Sequence, residues 1–317
     1  MIWLLLSAGL ALLYIGAEML VKGAVAIAQR LGVGPLVIGL TIVAFGTSAP
    51  ELTVSLQAAL AGSGHIAAAN VVGSNIFNLA VILGLSALIC PIHITARIIR
   101  VDMPIMIAAS LVGVAVLHDQ ALSRLEGLLL SSGIVAYTVF SFYLARRCPA
   151  DSLSDQVEHM LRKPSSRSIR AGWVSIGAVL LGLMLLVLGS KLLVEGAVRL
   201  ARLIGLSETL IGLTLVSAGT SLPELATSVV AAARKQPDIA VGNIVGSNIF
   251  NLLAILGLSS AIVPFSVAGL TGVDAAVMLG AAVLTLPLMW SRFTLSRIEG
   301  VILLAVYIVY IAYRWSV

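Results

Sequence analysis

The sequence predicts an all-α integral membrane protein: ten transmembrane helices in two inverted-topology repeats of five helices each. Three observations predict it. The chain has 317 residues, 60% hydrophobic and only 10% charged, with a mean hydropathy of +1.10; no soluble domain is so apolar along its whole length. Apolar runs of bilayer-crossing length recur from end to end, which suits helices, whereas barrel strands would give short alternating segments. The third observation is a gapless internal repeat.

In chain order the polar breaks place spans near 2–28, 35–60, 66–89, 102–117 and 125–145, then 173–198, 208–233, 239–262, 272–290 and 298–313. The first run, "MIWLLLSAGLALLYIGAEML", lacks a basic n-region and a small-residue cleavage site, so it reads as a span and not a removed signal. The first and sixth spans are longer than a bilayer needs, which allows strong tilt. The second and third carry "GTSAPEL" and "GSNIFN"; the seventh and eighth carry "GTSLPEL" and "GSNIFN" again. Between the fifth and sixth lies the one sizeable linker, 146–172, polar and too short to be a regulatory domain.

The repeat organises these spans. "GAEMLVKGAVAIAQRLGVGPLVIGLTIVAFGTSAPEL" from position 16 aligns with "GSKLLVEGAVRLARLIGLSETLIGLTLVSAGTSLPEL" from position 189, an offset of 173 residues. At the same offset "NVVGSNIFNLAVILGLS" from 70 meets "NIVGSNIFNLLAILGLS" from 243. The first half is therefore 1–145, with its motif at 46–78, and the second 173–317, with its motif at 219–251. Five spans per half is an odd number, so the second half enters the membrane upside down, as in many secondary transporters. Basic residues set the orientation: thirteen Lys and Arg fall on the side of the 146–170 loop, against four (Arg124, Arg199, Arg202, Arg314) on the other. By the positive-inside rule that loop is cytoplasmic and both termini are outside, or periplasmic. The net charge of +5 sits at span ends, so topology and not nucleic acid explains it. Cys90 and Cys148 lie in unrelated settings and suggest neither a disulfide framework nor a metal cluster.

Pro50 lacks an N–H for the carbonyl of Gly46, and Pro223 likewise frees Gly219. In lipid a freed carbonyl is tolerated only where it lines protein or a water-filled cavity. Around this break Thr47 and Glu51 share a helix face with Ser48 beside them, and Asn70, Ser74 and Asn78 stack on the face of the next span. The second copy supplies Thr220, Ser221 and Glu224, then Asn243, Ser247 and Asn251. Glycines 46, 73, 219 and 246 are expected to let these helices approach closely. The pooled groups are nearly all oxygen, with no histidine or cysteine. That chemistry suits a hard cation such as Ca²⁺ and not Zn²⁺ or Cu⁺. A glutamate at the bilayer centre costs on the order of 3 kcal/mol by insertion scales. Two together also repel, and a bound cation relieves both penalties.

Blander readings apply to the other polar residues. Hydroxyls and glycines in spans often serve packing, and Asn75 and Asn248 are equally interhelical hydrogen-bonders or ligand-shell residues. Lys22 and Lys191 pair locally with Glu18 and Glu195 at i, i+4, leaving Glu51 and Glu224 without a cation of their own. Asp102 and Asp274 read as helix-end residues, Glu126 and Glu299 as interfacial charges, and the four histidines as solvated.

On these two copies of G-T-S-x-P-E followed by G-S-N-x-x-N, the chain resembles the sodium/calcium exchanger family of the cation/calcium antiporter superfamily, along essentially its whole length. The resemblance implies ion sites where spans 2, 3, 7 and 8 cross. It implies ligand roles for Thr47, Ser48, Glu51, Ser74 and Asn78 and for Thr220, Ser221, Glu224, Ser247 and Asn251, with backbone carbonyls at Ala44 and Ser217. The long first and sixth spans match the pair that slides across the core during alternating access. Asn251 stands where potassium-dependent members place aspartate, which argues against potassium coupling. No large cytoplasmic insert is present, so a compact form in a prokaryotic plasma (inner) membrane is expected.

The function so implied is a secondary antiporter exchanging Ca²⁺ for Na⁺. The expected partners are the lipid bilayer and inorganic cations as substrates, with no cofactor, nucleic acid or obligatory protein partner. Three alternatives stand beside it: H⁺-coupled antiport of Ca²⁺, a passive cation channel, and a structural membrane protein. No nucleotide-binding loop, nucleophile triad or redox motif points to an enzyme.

Overall fold

The computed structural model describes residues 2–147, 169–204, 217–267 and 269–316. Most of the 146–172 linker, with Cys148 and His159, and the first part of the seventh expected span lie outside the described residues. The helices are α1 (Ile2–Leu31), α2 (Pro35–Thr47), α3 (Ala49–Leu60), α4 (Gly64–Ile89), α5 (Ile98–Leu117) and α6 (Arg124–Arg147). They continue with α7 (Ile169–Leu203), α8 (Ser217–Thr220), α9 (Leu222–Ala233), α10 (Pro237–Ile262), α11 (Gly272–Trp290) and α12 (Arg297–Ser316). Among the described residues eight helices are long and apolar enough to cross a membrane, and α2–α3, bent by 45°, make a ninth crossing.

Burial sorts the helices into layers. The apolar window of α10 is 94% buried and that of α4 72%, against 11% for α12 and 17% for α6. So α4 and α10 form the centre, while α6 and α12 present Leu125, Leu128, Val135, Ile298, Val301 and Ile308 outward. Water would penalise such a surface and lipid does not. The long helices α1 and α7 pack on each other along their lengths. A Cβ on Gly16 would meet the Gly182 carbonyl at 2.8 Å, and one on Gly182 the Gly16 carbonyl at 2.8 Å. Backbone contact of this kind needs glycine at the crossing.

The bend between α2 and α3 falls at Ser48 (φ −83°, ψ 6°), just before Pro50, and the equivalent break at Ser221 (φ −87°, ψ 8°), just before Pro223. Wide i→i+5 turns occupy 78–82 in α4 and 251–255 in α10, so each opens on the last asparagine of its GSNIFN motif. Such π-type turns recur at functional sites because they rotate side chains out of helical register.

Several expectations need correction. The chain is helical but not strand-free: β1 (Ile92–His93) pairs antiparallel with β4 (Thr294–Leu295), and β2 (Ala121–Leu122) with β3 (Phe265–Ser266). Each two-residue strand joins a loop of one half to a loop of the other, and stretches this short carry no periodicity to detect. Glu18 does pair with Lys22 (2.9 Å), but Glu195 pairs with Arg199, one turn further on, instead of Lys191. Asp102 is not a helix-end residue; it lies inside α5, fully buried, accepting from Tyr137 Oη (3.2 Å) and lying 3.5 Å from Arg97. Asp274 does cap α11 through Thr271, and it also accepts from Tyr310 Oη (2.8 Å). Glu126 and Glu299 are more than interfacial charges. Each closes a Ser-x-x-Glu capping box, with Ser123 N–H donating to Glu126 (2.8 Å) and Ser296 N–H to Glu299 (2.6 Å).

Candidate functional site

The two breaks bring α2–α3 and α8–α9 against α4 and α10 at the centre of the molecule. Pro50 and Pro223 start the helices that follow, so Glu51 and Glu224 sit in the first turns of α3 and α9. There the helix N-terminus favours negative charge. Both carboxylates are 1% exposed.

Their partners cross between the halves. Ser221 Oγ donates to Glu51 Oε1 (2.9 Å), and Ser48 Oγ donates to Glu224 Oε1 (2.8 Å). Ser221 Oγ also lies 3.3 Å from Ser74 Oγ, and Ser48 Oγ 3.0 Å from Ser247 Oγ. Each glutamate is thus held by the serine of the other half's motif, with the serine of the adjoining GSNIFN beside it. The second oxygens, Glu51 Oε2 and Glu224 Oε2, are buried and have no hydrogen-bond partner among the described residues. The same holds for Asn78 Oδ1 and Asn251 Oδ1. An unpartnered buried carboxylate oxygen is costly unless a cation meets it.

Of the expected residues, the structure gathers Thr47, Ser48, Glu51, Ser74, Asn78, Ser221, Glu224, Ser247 and Asn251 as buried groups of this centre, with Thr220 half-buried beside Glu51. The backbone carbonyls fare differently. That of Ala44 already accepts from Ser48 N–H (3.0 Å), and Thr47 Oγ1 lies 3.3 Å from it and 3.1 Å from Asn243 Oδ1. The Gly219 carbonyl freed by Pro223 accepts the Ser190 hydroxyl of α7 at 2.6 Å. Ser217 begins α8 at the edge of the described residues, and no contact of its carbonyl is described. Of the four motif glycines, Gly246 is the tight one: a Cβ there would lie 2.5 Å from the Leu40 carbonyl. At Gly46 and Gly219 the crowding is by the side chains of Leu183 and Val194.

Residues beyond the ligand set implied by the resemblance complete the centre. Asn70 Nδ2 donates to the Glu51 carbonyl (3.3 Å) and to Ser55 Oγ (2.9 Å), while Asn243 Nδ2 donates to the Glu224 carbonyl (3.4 Å) and to Ser228 Oγ (3.0 Å). These amides tie the glutamate helices to α4 and α10. Ser55 and Ser228 each lie one turn beyond a glutamate, a spacing visible in "ELTVS" and "ELATS". Asn75 proves to be an orienting group: its Oδ1 accepts from Asn251 Nδ2 (3.0 Å), which leaves Asn251 presenting its oxygen.

The profile of the family described as "Sodium/calcium exchanger protein" matches residues 1–143 and 174–316. The chain belongs to the sodium/calcium exchanger family. It is a multi-pass membrane transporter of the antiporter class and not an enzyme. The two matched stretches are themselves displaced by 173 residues, the offset of the internal repeat. The chain is 42% identical over 308 residues to the putative antiporter CaxA of Alkalimonas amylolytica, covering 95% of each. To the sodium/calcium exchanger MaX1 of Methanosarcina acetivorans it is 33% identical, covering 98% of this chain and 97% of that one. Among solved structures, the sodium-calcium exchanger NCX_Mj soaked with 10 mM Na⁺ and zero Ca²⁺ superposes with a TM-score of 0.81 at 30% identity, over 98% of this chain and 99% of that one.

Proposed function

We propose that this chain exchanges Ca²⁺ for Na⁺ across the membrane by alternating access, binding both cations in turn at one centre between its halves. The reciprocal clasp carries the reading. Glu51 and Glu224 come from different halves, each is held through one oxygen by the other half's serine, and each keeps its second oxygen buried, outside the hydrogen bonds described for the centre. A divalent cation between them meets both charges, and the groups gathered here offer it oxygen without histidine or thiol among the described residues, as suits a hard oxygen-binding ion. Thr47, Ser48, Ser74, Asn78, Thr220, Ser221, Ser247 and Asn251 supply the remaining oxygens, with the carbonyls of Ala44 and Ser217. Thr47 Oγ1, with one proton to give, lies between the Ala44 carbonyl (3.3 Å) and Asn243 Oδ1 (3.1 Å), so donation to Asn243 leaves the Ala44 oxygen open to a cation on that side.

In this reading Na⁺ ions load the same carboxylates when Ca²⁺ has left, so occupancy is exclusive and the two fluxes are coupled. The ten spans form two inverted repeats, 1–145 and 173–317, joined by a cytoplasmic linker, with both termini outside a plasma (inner) membrane. The relatives support it by name: MaX1 and NCX_Mj are described as sodium/calcium exchangers and CaxA as a putative antiporter. The test is uptake of radiolabelled Ca²⁺ into proteoliposomes under separately imposed Na⁺, H⁺ and K⁺ gradients. Uptake driven by the Na⁺ gradient alone is expected. Uptake driven by the pH gradient and indifferent to Na⁺ would replace this reading with proton-coupled antiport.

A further inference from the structure

We infer that Glu18, Arg234 and Ser190, outside the cation centre, bias which face the centre opens to, because they tie the α1/α7 pair to one half's broken helix and have no counterparts in the other. The inference rests on the inverted-repeat exchanger reading above. With such a repeat, exchanging the conformations of the two halves turns the molecule over and gives the opposite-facing state. Every contact in one state then has an image in the other, found by moving each residue 173 positions.

Two polar ties link α1 and α7 to α8–α9. The Glu18 carboxylate, buried on α1, pairs with Arg234 at the end of α9, and Arg234 also reaches Tyr14 Oη (3.4 Å). On α7 the buried Ser190 hydroxyl donates to the Gly219 carbonyl at 2.6 Å, the carbonyl that Pro223 leaves without a helical partner. The images of these residues cannot repeat the contacts. Glu18 and Arg234 map onto Lys191 and Ala61, Tyr14 onto Val187, and Ser190 with Gly219 onto Ala17 with Gly46. An ion pair becomes a lysine beside an alanine, and a hydroxyl–carbonyl bond becomes a methyl group beside an equally freed carbonyl. Since α1 and α7 are in backbone contact at Gly16 and Gly182, they move as one body, and both ties restrain that body in the same orientation. The state described here therefore keeps two polar contacts that its mirror state lacks.

The experiment uses full-length protein inserted unidirectionally in proteoliposomes, with the apparent affinity for Ca²⁺ measured from each face. A shift in orientation preference weakens binding from one face and strengthens it from the other, whereas damage to the centre or to folding weakens both. Ser190→Ala and the charge-neutral pair Glu18→Gln/Arg234→Gln are each expected to move the two faces in opposite directions, by about threefold. Ala17→Ser, which offers the Gly46 carbonyl the missing hydroxyl, is expected to move them the same way as Ser190→Ala, because it supplies the mirror state with its tie. Wild-type exchange combined with variants that shift both faces alike, or neither, would overturn the inference and leave the exchanger reading standing. Wild-type protein without gradient-driven exchange would sink both.

Discussion

Glu224→Gln is expected to abolish Ca²⁺ transport while leaving the protein folded and inserted. The amide matches the carboxylate in size, and its Oε1 can still accept from Ser48, which lies 2.8 Å from Glu224 Oε1. The change falls on the other atom. Oε2, buried and without a hydrogen bond, becomes an NH₂ that turns a donor toward the cation. Two unit charges about 4 Å apart interact by about 4 kcal/mol at an effective dielectric near 20, and a divalent ion doubles the gross term. Desolvation of ion and carboxylate offsets much of it. A net loss of about 3 kcal/mol is about two decades of affinity. Glu51→Gln should cost a comparable amount, because Ser221 holds Glu51 as Ser48 holds Glu224 (2.9 and 2.8 Å) and neither half supplies the ligands alone. The assay is gradient-driven Ca²⁺ flux by each purified variant after its monodispersity has been checked. A structural glutamate would give the opposite pattern, poor yield with normal flux from what survives. Near wild-type flux in either variant would refute the assignment of that glutamate as a Ca²⁺ ligand.

Gly246→Ala should destabilise the protein by about 1–3 kcal/mol, since its Cβ would sit 2.5 Å from the Leu40 carbonyl. Thermal melts of the purified variant and the parent protein check this, and equal melting temperatures would contradict the packing described. Asn251→Asp should fold normally and change ion coupling, because a third carboxylate joins a centre that must be loaded with cations, either by further Na⁺ or by a proton. Unchanged Na⁺ and pH dependence of transport would place Asn251 outside the centre. Single cysteines at Ser165 and on a C-terminal tag should label from opposite faces of the membrane, following the basic-residue asymmetry of the loops. Labelling from the same face would remove both the orientation and the inverted repeat.

The glutamates, serines and asparagines of the centre were legible because the chain states each of them twice, and a buried glutamate after proline in an apolar run has few uses. Pairing between the halves was not. Nothing in "GTSAPEL" indicates that Ser48 serves Glu224 instead of Glu51; that follows only once α2–α3 and α8–α9 lie side by side. Local spacing also misled where a longer reach won. Arg234, one of the thirteen loop charges, crosses to Glu18. Glu195 has a basic residue four away on each side and takes Arg199 over Lys191, a choice that spacing alone does not make. The Ser-x-x-Glu boxes at Ser123 and Ser296 were readable from spacing alone and went unread among the apolar residues around them.

The central claim is that Ca²⁺ and Na⁺ compete for one oxygen-lined centre shared by the two halves. Equilibrium binding of radiolabelled Ca²⁺ to the purified protein, titrated with Na⁺ at constant pH and ionic strength, tests it most directly. The account predicts that Na⁺ displaces bound Ca²⁺ completely and cooperatively, that K⁺ at the same concentration does not, and that Glu51→Gln and Glu224→Gln bind little Ca²⁺ at all. Bound Ca²⁺ that persists at saturating Na⁺ would contradict it.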